Sequence, residues 1–163
     1  MMEVQRVADS WRLNLSQEGV DFLRSVLRSM RTAYETRPEE MDARVREVWY
    51  SDTGHAQIGS SEEERGLWND AIYEFRGENS ELMEGWLEEL EQSAPVTLLL
   101  DEIGFDVLLI VANDYRLALA AKYEITEEDM NLSIVEIEDT QRRLVLVQMY
   151  FLQVLIGKLV DAH

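Results

Sequence analysis

The chain has 163 residues, a length typical of one domain, so we expect a single domain over residues 1–163. Hydrophobic residues make up 46% and charged residues 29%, which is typical of a globular protein with a core of ordinary size. There is no cysteine, which excludes disulfides, thiolate zinc sites and cysteine nucleophiles.

The net charge is −18, from 15 basic and 33 acidic residues. A surface of this kind repels DNA, RNA and anionic membranes, because nucleic-acid binding depends on basic groups that neutralise phosphates. The acidity is strongest over residues 60–92, which hold 11 acids and 2 bases, a net of −9. We therefore expect no nucleic acid and no membrane among the partners; a high negative charge serves solubility or steers a basic partner.

The first third of the chain predicts a short strand followed by a long helix. Apolar residues alternate with polar ones over 11–15, the period of a half-buried strand. Ser16 is placed to cap a helix that runs to about Tyr34, with apolar residues every three or four positions. A second stripe on this helix is basic, and we expect it to pair with the glutamate-rich segment further on: Arg24, Arg28 and Arg31.

The middle third predicts a helix over 39–50, a loop over 51–60 with two glycines, and a further helical stretch over 61–92. Ser61 followed by Glu64 resembles a capping box at the start of that stretch. A break or kink is expected near Gly77, with an apolar pattern continuing after it.

The last third begins with a short extended run over 96–100, after which Asp101 is placed to cap a helix to about Tyr123. Alternating apolar residues over 131–138 make a second short strand an expectation. A final helix begins near residue 139 and is apolar nearly all round, which is typical of a helix in the middle of a bundle. The predicted fold is mainly α: a compact helical bundle of five to six helices with one or two short β-strands.

Targeting segments are not evident. The N-terminus lacks the apolar stretch of a signal peptide. The most apolar run, residues 144–157, is shorter than the ~20 residues needed to span a bilayer. We expect a cytoplasmic protein.

Complete catalytic, metal or phosphate motifs are not found. The two histidines are His55, in the glycine-containing loop, where we expect it to be solvated, and His163 at the end of the chain. The loop from Gly54 to Gly59 lacks the lysine of a phosphate-binding loop. A carboxylate-only magnesium or calcium site has little support, because no loop shows regular ligand spacing. The sequence predicts no cofactor, no metal and no enzymatic activity.

One helix resists a purely structural interpretation. Between residues 105 and 121 the polar side chains, Tyr115 aside, are Asp106, Asn113, Asp114 and Arg116, and they leave the helix without a clean solvent face. Buried polar groups must be hydrogen-bonded, so these residues either form a structural network or line a cleft. As a structural member, Arg116 should matter more for stability than a surface arginine such as Arg37.

The same segment resembles a known family. The sequence Ala-Asn-Asp-Tyr-Arg-Leu-Ala-Leu over 112–119 is similar to the Leu-Asn-Asp-x-Arg-Leu-Ala-Leu signature of a bacterial family called domain of unknown function two-thousand-seventeen. The Glu74-Phe75-Arg76 element resembles a second motif of that family, and residues 15–30 and 152–153 resemble its opening and closing helices. The resemblance implies no known activity. It does imply a gene neighbourhood, beside the adaptor that feeds substrates to the caseinolytic ATP-dependent protease.

Three functions remain open at this point. The first is a non-enzymatic interaction or regulatory domain whose protein partner belongs to the protease machinery. The second is a small-molecule binder or enzyme with a cleft around a candidate polar cluster, and the third is an acidic decoy for a basic nucleic-acid-binding protein. The four tryptophans also suggest a homodimer. The candidate polar cluster comprises Glu74, Arg76, Asn113, Asp114 and Arg116.

Overall fold

A computed structural model describes residues 1–50 and 61–163. The predicted loop over 51–60, together with His55, lies outside the described residues. The described chain is mainly helical, as the sequence predicts, and it carries a three-stranded antiparallel sheet.

The sheet consists of β1 (Met2–Val7), β2 (Ser10–Leu15) and β3 (Val96–Leu100), in that order. Strand β2 is central, and its Leu13 lies opposite Val4 of β1 and Leu98 of β3. Side chains alternate along β2 and β3, so that one face of the sheet is buried and the other carries exposed residues such as Leu99. The expectation of one or two strands was too low, because half of the β1 side chains are polar and only Met2 is buried, so this edge strand gives little hydrophobic pattern.

Helices α1 (Gln17–Glu35) and α2 (Ala43–Trp49) follow the first hairpin. The Ser16 hydroxyl accepts the backbone N–H of Gly19 and starts α1, as predicted. Helix α2 is shorter than predicted, because Pro38–Glu40 forms a separate 3-10 turn and Asp42 caps the helix proper.

The glutamate-rich stretch forms two helices, α3 (Glu62–Glu78) and α4 (Ser80–Glu89), which meet at Asn79. Ser61 caps α3, accepting the N–H of Glu64. The expected pairing with α1 is present in part: Arg31 lies 3.5 Å from Glu84, and Arg24 donates to the carbonyl of Leu90. Some of the negative charge is therefore paired internally.

Helix α5 (Glu102–Lys122) starts at the predicted cap, Asp101, and nine of its 21 residues are buried. It is followed by α6 (Glu127–Asn131) and by a 3-10 turn at Ile134–Glu136, where a strand was expected. That prediction was wrong because the alternating residues have no neighbouring strand. Ser133 and Glu136 cap a turn, and Val135 is 85% exposed.

The last helix, α7 (Thr140–Ala162), buries only one side. It packs on α5 and β1, while Leu144, Val154 and Val160 are exposed. The expectation of a helix in the middle of a bundle was therefore wrong. An apolar pattern on all sides shows how long and how hydrophobic a helix is, but it does not show how many other helices pack against it. Within the described residues, α7 is the one helix whose length and composition would suffice to cross a membrane, and a third of its most apolar window is buried.

Candidate functional site

A buried carboxylate, Asp114, lies in the middle of α5 and is 8% exposed. The hydroxyl of Tyr34, at the end of α1, donates to its Oδ2 at 2.6 Å. The Nε of Arg76, from α3, donates to the same oxygen at 3.4 Å. The indole N–H of Trp49, from α2, donates to the backbone oxygen of Asp114 at 3.0 Å. Four helices thus meet at one residue, and we call Tyr34, Trp49, Arg76 and Asp114 the Asp114 network.

The guanidinium of Arg76 is enclosed by aromatic rings. Its central carbon lies 5.2 Å from the ring centroids of Trp49 and Tyr50 and 6.0 Å from that of Tyr34. Its Nη1 donates to the backbone oxygen of Trp49 at 3.3 Å, and the side chain is 12% exposed. A desolvated cation over aromatic faces gains roughly 2 kcal/mol, so charge pairing and ring contacts together hold this arginine in place.

The pKa values of the two tyrosine hydroxyls around Arg76 are raised. Burial raises the pKa of Tyr34 far above its usual value, and the negative charge of Asp114 and its hydrogen bond raise it further, against the opposing effect of Arg76. Burial also raises the pKa of the Tyr50 hydroxyl, again opposed by Arg76. Tyr34 therefore acts as a neutral hydrogen-bond donor to a carboxylate. This arrangement suits the fixing of helices in place.

The candidate polar cluster predicted from the sequence divides into separate places. Arg76 and Asp114 come together in the Asp114 network. Arg116 is exposed on another face of α5, where its Nη2 donates to Oδ1 of Asn113 at 2.9 Å, and Glu74 is exposed on α3. Arg116 is two residues from Asp114 on the same helix, so the two side chains point to different sides of α5, and it is Arg76 from α3 that pairs with Asp114.

Two members of the network were not among the candidate residues. Tyr34 lies at the end of the apolar stripe of α1 and Trp49 is the last residue of α2, and both are buried. The available signal was chemical: a buried tyrosine hydroxyl or tryptophan N–H usually needs a hydrogen-bond partner. Both find that partner on Asp114.

Helix α3 has an unusual surface, because none of its residues is buried. Leu67 is 65% exposed and Phe75 is 54% exposed, and with the exposed Ala71 between them they form a stripe at four-residue spacing along one side. Six acidic residues and two basic ones lie on this helix, and one of the two bases, Arg76, turns inward. We call the stripe Leu67, Ala71 and Phe75 with its surrounding carboxylates the α3 outer face.

The inner side of α3 is attached by Ile72, which packs against the core, and by polar and aromatic contacts. Tyr73 donates its hydroxyl to the backbone oxygen of Glu35 at 3.1 Å, and Arg37 lies 5.0 Å from the Tyr73 ring centroid and 3.7 Å from Asp70. These contacts are exposed, whereas Arg76 reaches the interior. The position of α3 therefore depends strongly on the Asp114 network.

A cavity of about 490 Å³ opens beside the network, between α1, α2 and α5. Its lining includes Trp49, which also belongs to the Asp114 network, and the apolar side chains Met30, Val45 and Leu119. Lys122 and Gln148 are among its polar lining residues. Arg116 lines a separate cavity of about 330 Å³. This candidate residue therefore does not line the cavity that is lined by Trp49.

Within residues 1–50 and 61–163, no three histidine, aspartate or glutamate side chains are grouped so that they could hold a metal ion. Comparison of the chain with models of protein families, with curated proteins and with solved structures finds no match. The family resemblance in the Asn113-Asp114 segment therefore stays a prediction that rests on its motifs.

Proposed function

We propose that this chain is a non-enzymatic interaction domain whose α3 outer face enters an apolar groove, rimmed by lysine or arginine, on a partner protein. The observation that carries the proposal is the exposed stripe of Leu67 and Phe75 on a helix with six carboxylates. Amphipathic helices bind grooves through apolar residues at such spacing. Because the surrounding charge is negative, it steers the helix towards a basic rim.

The mode of attachment of α3 supports the same proposal. A helix that served only the fold would turn Leu67 and Phe75 inward, since burying a large apolar side chain stabilises the folded state by about 1.5–3 kcal/mol. Here these residues face outward while the charged Arg76 is inserted into the interior. The Asp114 network thus fixes α3 in an orientation that leaves its apolar stripe available to a partner.

The family resemblance suggests the partner. We place this domain in the cytoplasm, as a compact helical bundle on its small sheet, in contact with an adaptor or subunit of an ATP-dependent protease. The composition of the α3 surface argues against the alternative function of an acidic decoy. A decoy needs acids in phosphate-like rows, and here large apolar side chains lie among them.

Affinity purification from native cells, with quantitative mass spectrometry, tests the proposal. The tagged chain is compared with a Leu67→Ser/Phe75→Ser variant and with a matched control, Val135→Ser, which changes another highly exposed apolar residue. We expect the chain and the control to recover a protease adaptor or subunit, less strongly as salt rises, and the α3 variant to lose it at least tenfold. Equal recovery by all three, or recovery of nucleic-acid-binding proteins alone, would overturn it.

A second candidate function rests on the cavity between α1, α2 and α5. Its volume of about 490 Å³ and its mixed lining are typical of sites for small amphipathic molecules. A thermal-shift screen with soluble metabolites should find compounds that raise the Tm of the chain, and Ala118→Phe, which fills the cavity from its α5 wall, should abolish the shift. A shift that persists in this variant, or none at all, would count against ligand binding there.

A further inference from the structure

Helix α7 has an apolar side that nothing in the described chain fully covers. Leu144 is 61% exposed and Val154 is 44% exposed, and Val147 and Phe151 between them are half-buried. The four positions 144, 147, 151 and 154 are separated by three, four and three residues, a spacing that places their side chains in one line along a helix. We call these four residues the α7 seam.

The α7 seam lies in an uncharged part of a highly charged protein. Residues 140–157 contain no aspartate or glutamate, although the whole chain holds 33 of them. The two arginines of this stretch are turned away: Arg142 lies 2.6 Å from Asp129, and Arg143 donates to the backbone oxygen of Ile137 at 3.1 Å. Residues 140–157 of α7 therefore add no carboxylate of their own where a second molecule of net charge −18 approaches, although Phe151 packs against Phe22 of α1, next to the exposed Asp21.

Insertion into a membrane fits the helix poorly. The C-terminal end of α7 is tied to the sheet, since Trp11 donates its indole N–H to the oxygen of Ala162 and Arg6 donates to that of His163, both at 3.0 Å. The other side of α7 buries six apolar residues in the core. A helix lying on an anionic membrane also needs several exposed lysines or arginines, and here both arginines of the 140–157 stretch bind within the chain.

We propose that a second copy of this chain covers the α7 seam, and that the two α7 helices cross about a two-fold axis near Val147 and Phe151. A two-fold contact uses the same patch on both molecules and so needs a surface that is complementary to itself. An uncharged apolar seam meets that condition, and the acidic α3 outer face does not. The dimer proposal does not rest on the tryptophans from which the sequence suggested a homodimer, because Trp11, Trp49 and Trp86 are buried in the core.

Sedimentation equilibrium over a concentration series tests the dimer. We expect the 19.0 kDa chain to sediment at twice its mass, and Val154→Glu to weaken the association at least 100-fold while keeping the Tm within a few degrees. The control, Val135→Glu, places the same charge on an exposed residue outside α7 and should leave the dimer intact. A monomer at every concentration would overturn the proposal.

A cross-linking experiment locates the contact. The chain has no cysteine, so Val147→Cys introduces a single thiol, and oxidation should join two copies through it. A dimer that survives Val154→Glu and is not joined through residue 147 would show that another surface is used. Co-sedimentation of the monomer with phosphatidylcholine–phosphatidylglycerol vesicles would show that the seam binds lipid. The Leu67→Ser/Phe75→Ser variant should stay dimeric, which separates this proposal from the proposed function.

Discussion

Replacing Asp114 by asparagine removes one charge from the Asp114 network and keeps an oxygen that can still accept from Tyr34. Removing one partner of a buried ion pair costs about 3–5 kcal/mol. Both side chains keep 12% exposure and the Arg76–Asp114 contact is long at 3.4 Å, so we expect the lower end, about 3 kcal/mol. In a chain of this size that loss lowers Tm by roughly 6–12 °C.

Urea unfolding followed by tryptophan fluorescence measures the free energy of unfolding, and a double-mutant cycle isolates the pair. Arg76→Met keeps the apolar stem and removes the charge, so the double variant Asp114→Asn/Arg76→Met should be more stable than the sum of the single losses predicts, by about 2 kcal/mol. The control is Arg116→Gln on the exposed face of α5, which should cost no more than about 0.5 kcal/mol. Additive losses in the cycle, or equal costs for Asp114→Asn and Arg116→Gln, would refute the assigned role.

Three further predictions concern the hydrogen bonds of Trp49, Tyr34 and Asp129. Trp49→Phe removes the donor to the backbone oxygen of Asp114 and should lower the free energy of unfolding by about 1 kcal/mol, measured in urea; an unchanged midpoint contradicts that bond. Tyr34→Phe should lower stability at pH 7 but make the protein less sensitive to alkali. Because the pKa of Tyr34 is higher in the folded than in the unfolded protein, where it is about 10, the protonated hydroxyl stabilises the fold below that pH, and this stabilisation is lost as the pH rises further. Parallel pH profiles of the free energy of unfolding for the two proteins would contradict this account. Hydrogen bonds from Thr126 and then the charge of Arg142 lower the pKa of Asp129, so Asp129→Asn should destabilise at pH 7 and progressively less as pH falls below about 4; a constant difference contradicts it.

Local signals in the sequence were sufficient for much of the helical framework. The caps at Ser16 and Asp101 each start a helix where the pattern of side-chain acceptors predicts one, because a cap depends only on residues within one turn. Strand β1 and the turn at Ile134–Glu136 were not predictable in this way. Strand β1 pairs with the adjacent β2, but only its Met2 is buried and its hydrophobic pattern is weak. The alternating residues around Ile134 have no neighbouring strand, and whether such a neighbour exists is decided by the fold and not by the segment itself.

The candidate site shows the same division. Of the four polar residues that the sequence singles out in this helix, only Asp114 is buried, whereas Asp106 and Arg116 are exposed. Arg76 was among the candidate residues because its segment resembles a family motif. The contacts of Asp114 were not predictable, since Tyr34 and Arg76 lie 80 and 38 residues from Asp114 along the chain.

The side of a helix that faces water was harder to predict. The apolar spacing of α3 favours Leu67, Ala71 and Phe75 on the inner side, which is wrong because all three are exposed, and the all-round apolar pattern of α7 does not show which side is buried.

Site-specific photo-cross-linking in native cells tests the central claim most directly. A photoreactive amino acid at Ala71 lies between Leu67 and Phe75 and leaves both in place, and the same amino acid at Val135 is the control. We predict one abundant protein adduct from position 71, containing a protease adaptor or subunit, and none of that mass from position 135. The same adducts from both positions, or none from position 71 in a folded protein, would contradict the account.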